Sequence, residues 1–133
     1  MAITYTLCQS GGVTGVGTSY STSKRASASV NFSLRNVFLS VLKTIQIDIS
    51  NMSGSGTPTS INVKITSDAA GDNVILPDTQ ATIDAGVTTA LSGGAVINVD
   101  TVLYSANETL YIFLKGNSGT MDVDSVSLLV ENN

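Results

Sequence analysis

Asp68, Asp72, Asn73 and Asp78 fall within the stretch SDAAGDNVILPDTQ, which concentrates oxygen-bearing side chains in one short segment. Two chemistries suit them. As calcium ligands they would need about six to eight oxygens around one ion, with carboxylates closely spaced, and Asp68, Asp72 and Asp78 are the candidates. The alternation of acidic residues ending in Gly that marks an EF-hand loop is absent. As turn formers, Asp72 and Asn73 fold back onto nearby backbone and Gly71 supplies a positive φ, which accounts for the segment without a ligand. The turn account is preferred. Asp122 and Asp124, two apart in TMDVDSV, point to one face of a strand and repel. A solvated face is the preferred reading there, with a calcium ion or a neighbouring subunit's Lys as the alternative.

Catalysis has little to work with. The chain has no histidine, which removes the Ser-His-Asp triad, the Cys-His dyad and nearly all catalytic zinc sites. A glycosidase needs only two carboxyls, yet nothing in the spacing of the acidic residues selects a pair. S-x-x-K occurs at Ser21 to Lys24 and at Ser40 to Lys43, without companion motifs. The run GGVTGVG, Gly11 to Gly17, lacks the glycine spacing, lysine and following helix of a phosphate loop. No cofactor is implied, and the expectation is a protein that is not an enzyme. A sugar platform, with Trp absent, would have to come from Tyr20, Tyr104 or Tyr111.

A chain of 133 residues fits one domain and can bury a sizeable core unaided. Charged residues make up 12%, so the surface must be largely uncharged, and abundant Ser, Thr, Asn and Gly favour turns and strands. The net charge is -4, and the six cations are scattered apart from Lys24 and Arg25, so nucleic acid is not an expected partner. No apolar stretch is long enough to span a bilayer, and MAITYTL does not read as a cleaved signal, so no membrane association is expected. Cys8 stands alone, which fits synthesis in a reducing cytoplasm.

The elements that position these residues read as strands. Ile3, Tyr5 and Leu7 alternate with threonines, and alternation returns at Ala28, Val30, Phe32 and Leu34. Residues 10 to 25 are Gly- and Ser-rich and read as a flexible arm or long loop, exposing Val13, Val16, Tyr20, Lys24 and Arg25 to a partner. Ile45, Ile47 and Ile49 predict a strand from about 43 to 50, with 36 to 42 a short helical turn or the end of a preceding strand. Further strands are expected at 61 to 66, 74 to 76, 80 to 84, 87 to 91, 95 to 104, 109 to 115 and 120 to 130. The sum is an all-β, antiparallel β-sandwich, jelly-roll-like, of about eight or nine strands. Residues 1–25 form an N-terminal strand and arm, and residues 26–133 form the sandwich domain.

The segments SDAAGDNVILP, AVINVDTVLY, SANETLYIFLK and GNSGTMDVDSVSLLVE, in that order, resemble small jelly-roll virion proteins of tailed bacteriophages, most of all head decoration (cement) proteins. The resemblance covers residues 40 to 131. It implies a non-enzymatic virion protein on the capsid surface that bridges major capsid protein subunits, as a homo-oligomer and often a trimer. The alternative from the residues is a carbohydrate- or receptor-binding β-sandwich of a tail fibre or baseplate.

Overall fold

A computed structural model describes residues 2–7, 12–30, 40–53, 58–84, 93–103 and 108–132. Alternation of β-branched and polar residues dominates them, and they form nine strands and no helix. These are β1 (Ala2–Leu7), β2 (Val13–Val16), β3 (Arg25–Val30), β4 (Ser40–Ser53), β5 (Ser60–Thr66), β6 (Val74–Thr82), β7 (Gly93–Leu103), β8 (Glu108–Gly116) and β9 (Thr120–Asn132). The pairings are nested: β5 with β6, β4 with β7, β3 with β8 and β1 with β9, all antiparallel. One long ribbon, its tip at β5 and β6, is thus rolled upon itself. Rolling adds the contacts β4 to β9 and β5 to β8, which close two sheets. One sheet runs β1-β9-β4-β7, with β2 also on β9, and the other runs β3-β8-β5-β6. This is the jelly-roll sandwich expected from the alternation.

The core lies between the sheets. Ile45, Ile47 and Ile49 of β4, Ile61, Val63 and Ile65 of β5, Leu110, Ile112 and Leu114 of β8, and Leu128 of β9 are all fully buried. Burial of each such aliphatic side chain stabilises the fold by about 1.5–3 kcal/mol. Bulges explain where the alternation breaks. Against β9 the β4 register shifts between Leu42 and Thr44, with one extra residue on β4, so Leu42 and Ile45, three apart, both point inward. That extra residue produces the helix-like spacing in the sequence; from Ser40 onward the segment is strand, and 36–39 lie outside the described residues. A second shift opposite β9 leaves Asp124 as an extra residue between Val123 and Ser125, so Asp122 and Asp124 are not simple same-face neighbours.

Other expectations need correction. The segment at 74 to 76 and residues 80 to 82 of the next belong to one strand, β6, that runs through Pro77, which its position at the sheet edge tolerates. The strand expected at 87 to 91 lies outside the described residues. The arm is not free over residues 13–16: β2 pairs with β9, and Val13 and Val16 are in the core at 8% and 0% exposure. A register shift between those two valines lets both face inward, which hides the period-2 signal.

Candidate functional site

Outward-facing positions of the four-stranded sheet carry the chemistry. Register sets Arg25 of β3, Phe113 of β8 and Lys64 of β5 side by side, with Ser27, Tyr111 and Thr66 in the next such row. On the other side of that first row, Lys115 sits opposite Asn62, which faces Gln80 of β6. Tyr20 arrives from the loop between β2 and β3. The result is a ladder of alternating cations and rings. Arg25 lies 4.9 Å from the Tyr111 centroid and 5.6 Å from that of Phe113, and Lys64 lies 5.0 Å from Phe113 and 5.1 Å from Tyr20. Lys115 completes it at 4.6 Å from Tyr20. Each contact draws a charge toward the negative face of a ring.

Asp78 anchors one end. It accepts the Tyr20 hydroxyl and, at 3.2 Å to each oxygen, the Asn62 amide, with Lys115 4.0 Å away. The Tyr20 hydrogen bond, followed by Asn62 and the Lys115 and Lys64 charges, holds the Asp78 carboxyl below the usual range. Burial, and after it the Asp78 carboxylate, push the Tyr20 phenol far above its ordinary value.

The other end is closed by the loop 67–73. Asp68 accepts the backbone N–H groups of Asp72 (3.0 Å) and Asn73 (2.8 Å), and Thr66 donates to the Asp68 carbonyl at 2.7 Å. Those backbone donors, Asn73 first, lower the Asp68 carboxyl. The loop then folds over Phe113: a Cβ on Gly71, whose φ is +87°, would stand 3.1 Å from the ring's Cζ. Arg25 donates to the Ala69 carbonyl, and the Lys64 ammonium lies 3.4 Å from that of Gly71. Phe113 is therefore buried at 2% exposure although it points away from the main core. A Gly71→Ala substitution is expected to lift the loop off Phe113, seen as a gain in near-ultraviolet signal change and faster amide exchange at 68–73 with little loss at β4. Unchanged exchange there would show that the loop tolerates the methyl.

The sequence candidates divide accordingly. Tyr20, Arg25 and Asp78 belong to this face. Val13 and Val16 do not, because they are core residues. Lys24 turns away and donates to the Thr14 carbonyl at 2.6 Å. Asp68 spends its carboxylate on its own loop, Asp78 is held by Tyr20 and Asn62, and Asp72 is exposed. Among the described residues no group of three or more acidic, His or Cys side chains could hold a metal. Tyr104 lies among residues whose side chains are not described. Lys64, Lys115 and Asn62 were missed from sequence. Their signal was phase: each occupies a position alternate to buried aliphatics in β5 or β8.

The opposite sheet presents the opposite charge. Asp48, Asp100, Asp122 and Glu131 face away from the core there; Lys43 lies 2.7 Å from Asp100, and the Lys24 charge is felt at Asp122. That bond to Asp100 raises the Lys43 pKa. Asp122 accepts the Asn51 amide and the Gly15 backbone N–H, both at 2.8 Å, tying β2 to the sheet; these bonds, Asn51 first, lower its carboxyl. Asp68, Asp78 and Asp122 thus all titrate below their ordinary 3.8. As pH falls below that value the unfolded chain takes up protons that the native carboxylates resist, so their stabilisation is lost down to the lower native pKa values. The thermal midpoint is expected to be flat above about pH 5 and to drop steeply under about pH 4, less so in Asp122→Asn. An acid-insensitive midpoint would contradict these networks.

No family model matches the sequence, and no curated protein matches it. Among solved structures, the chain is similar to the CBM36-1 domain of a multidomain xylanase from the hindgut metagenome of Trinervitermes trinervoides, at 12% identity and a TM-score of 0.48, covering 99% of this chain and 98% of that one. It is also similar to the C-terminal CBM6 of a marine laminarinase from Zobellia galactanivorans, at 7% identity and 0.46, with 96% and 98% coverage. A third likeness, at 15% identity and 0.41, is to a family GH115 4-O-methyl-alpha-glucuronidase; it covers 78% of this chain and 13% of that one. At such identities and scores these likenesses carry nothing about function.

Proposed function

We propose that the protein is a non-catalytic binding module whose four-stranded face takes an anionic polysaccharide. The observation that supports this is the ladder of Arg25, Lys64 and Lys115 on Tyr111, Phe113 and Tyr20, flanked by Asn62 and Asp78. Guanidinium and ammonium groups recognise carboxylate or sulfate, while amide and carboxylate side chains recognise hydroxyls. Tyrosines add apolar area with a polar tip, which suits a sugar ring. The three cations of this face stand beside Asp68, Asp72 and Asp78, whereas the opposite sheet carries more carboxylates than cations, so this face is the less acidic of the two and an anionic chain meets it in preference. Attachment to a capsid by a free arm loses two of its five expected contact residues, because Val13 and Val16 are internal.

The test is electrophoresis in native gels that contain a uronate polymer, a sulfated polymer or a neutral glucan. Retardation by the anionic polymers, weakened by salt and absent with the glucan, is the expected result. Equal mobility in all gels would overturn the proposal.

A further inference from the structure

Two cations of the four-stranded face spend their charge on a loop. Arg25 donates to the Ala69 carbonyl, the Lys64 ammonium stands 3.4 Å from the Gly71 carbonyl, and Gly71 rests against the Phe113 ring. Among the described residues neither Arg25 nor Lys64 forms an ion pair. Phe113 is buried, yet it lies outside the main core, so what covers it is the same loop.

The loop takes its shape from bonds within itself. The Ser67 N–H donates to the Asn73 carbonyl at 3.0 Å, the Gly71 N–H donates to the Asp68 carbonyl at 3.3 Å, and the Asp68 carboxylate accepts the N–H groups of Asp72 and Asn73. The Thr66 hydroxyl, at the base, donates to the Asp68 carbonyl. A compact loop knotted in this way moves as a unit about its two ends. Its hold on the sheet is slight by comparison: SDAAGDN has no large apolar side chain to insert, and Ala69 and Ala70 are exposed. Two cation–carbonyl contacts and one glycine against a ring keep it down.

We propose that the loop 67–73 is a lid over the Arg25, Lys64 and Phe113 part of the face, lifted when an anionic sugar binds. This rests on the polysaccharide reading above and adds how that site is controlled. A carboxylate or sulfate competes for the guanidinium and the ammonium with ionised oxygens, which make stronger bonds than neutral carbonyls do. Lifting the loop also bares the Phe113 ring, against which the apolar face of a sugar packs. A ligand shifts an equilibrium only by what it gains in one state over the other, and the two cations and the ring are gained only in the open state. Without ligand the lid returns, because closure takes the ring out of water and gives both cations their carbonyls again. The closed state therefore lowers the affinity: a lid shut about nine-tenths of the time weakens binding roughly tenfold.

Shortening the loop tests this. Thr66 pairs with Val74, and the Ser67 to Asn73 bond continues the hairpin beyond them, so residues 68–72 can be replaced by Asp-Gly, a two-residue turn that joins β5 to β6 without a lid. The exchange removes one carboxylate; Asp72→Asn also removes one, on an exposed residue, and keeps the lid, which makes it the charge-matched control. In calorimetric titration with one uronate polymer, the shortened chain is expected to bind roughly tenfold more tightly than Asp72→Asn. Gly71→Ala, which alters no charge and presses the loop off Phe113, is expected to bind more tightly than the wild type. A shortened chain that binds no more tightly than Asp72→Asn would overturn the lid and leave the polysaccharide reading standing. Absence of binding by every chain, wild type included, would overturn both. If the shortened chain fails to fold, Gly71→Ala decides: affinity equal to or below that of the wild type would overturn the lid.

Discussion

Replacing Arg25 and Lys64 together by Met is expected to abolish measurable binding to a uronate polymer while leaving the sandwich folded. Methionine keeps an apolar stem over Phe113, so the double variant removes charge without uncovering the ring. A hydrogen bond between charged partners contributes about 1.5–3 kcal/mol. Two such losses predict an affinity lower by roughly a hundredfold or more, measurable by titration calorimetry at low salt. Lys43→Met, on the acidic sheet, is the control and should bind like the wild type or slightly less tightly. Unchanged affinity in the double variant would move the site elsewhere. The variant also frees the Ala69 and Gly71 carbonyls, so its thermal midpoint must be recorded beside the binding curve.

Gly119→Ala is the second large effect, and it acts on the fold. Gly119 closes the turn between β8 and β9 with φ at +59°, and an added Cβ would fall inside the contact distance of the Ser53 carbonyl oxygen and 3.2 Å from Pro58 Cδ. A left-handed conformation costs a non-glycine residue roughly 1–2 kcal/mol. Overpacking against backbone that cannot yield adds about 1–3 kcal/mol. Together they predict a fall in thermal midpoint of about 10–20 °C for a domain of this size. Gly17→Ala is the matched control, because nothing lies within 4 Å of its added Cβ. A midpoint for Gly119→Ala within a degree or two of wild type would mean that the turn rearranges freely.

The strands were legible where alternation is clean. Ile45, Ile47 and Ile49 mark β4, and Ile61, Val63 and Ile65 mark β5, because an unbroken pleat puts every second residue inside. Alternation failed at bulges. Leu42 and Ile45, and Val13 and Val16, are pairs three apart that both face the core, and a period of two cannot register them. The arm expectation failed for that reason: Gly and Ser content suggested free chain, while two valines on a shifted register were enough to dock it. The candidate site was only partly legible. Tyr20 and Arg25 were singled out for a partner, but they were grouped with residues close in sequence, whereas the rolled ribbon groups them with Lys64, Asp78 and Phe113 from other strands. Cations scattered along the chain became a cluster only through pairing register.

The nested order of the strands has a kinetic side. At the ribbon's tip Thr66 pairs with Val74, a short loop to close, whereas the outermost pairing joins Ala2 to Asn132. Closure entropy rises with the length of chain enclosed, and folds dominated by such distant pairs reach the native state slowly. Assembly therefore runs outward from the β5 and β6 hairpin, and the Arg25 rung is added only when β3 reaches β8. During refolding, amide-exchange protection of β5 and β6 should appear before ligand-binding competence does, so the binding face doubles as a clock for the late steps.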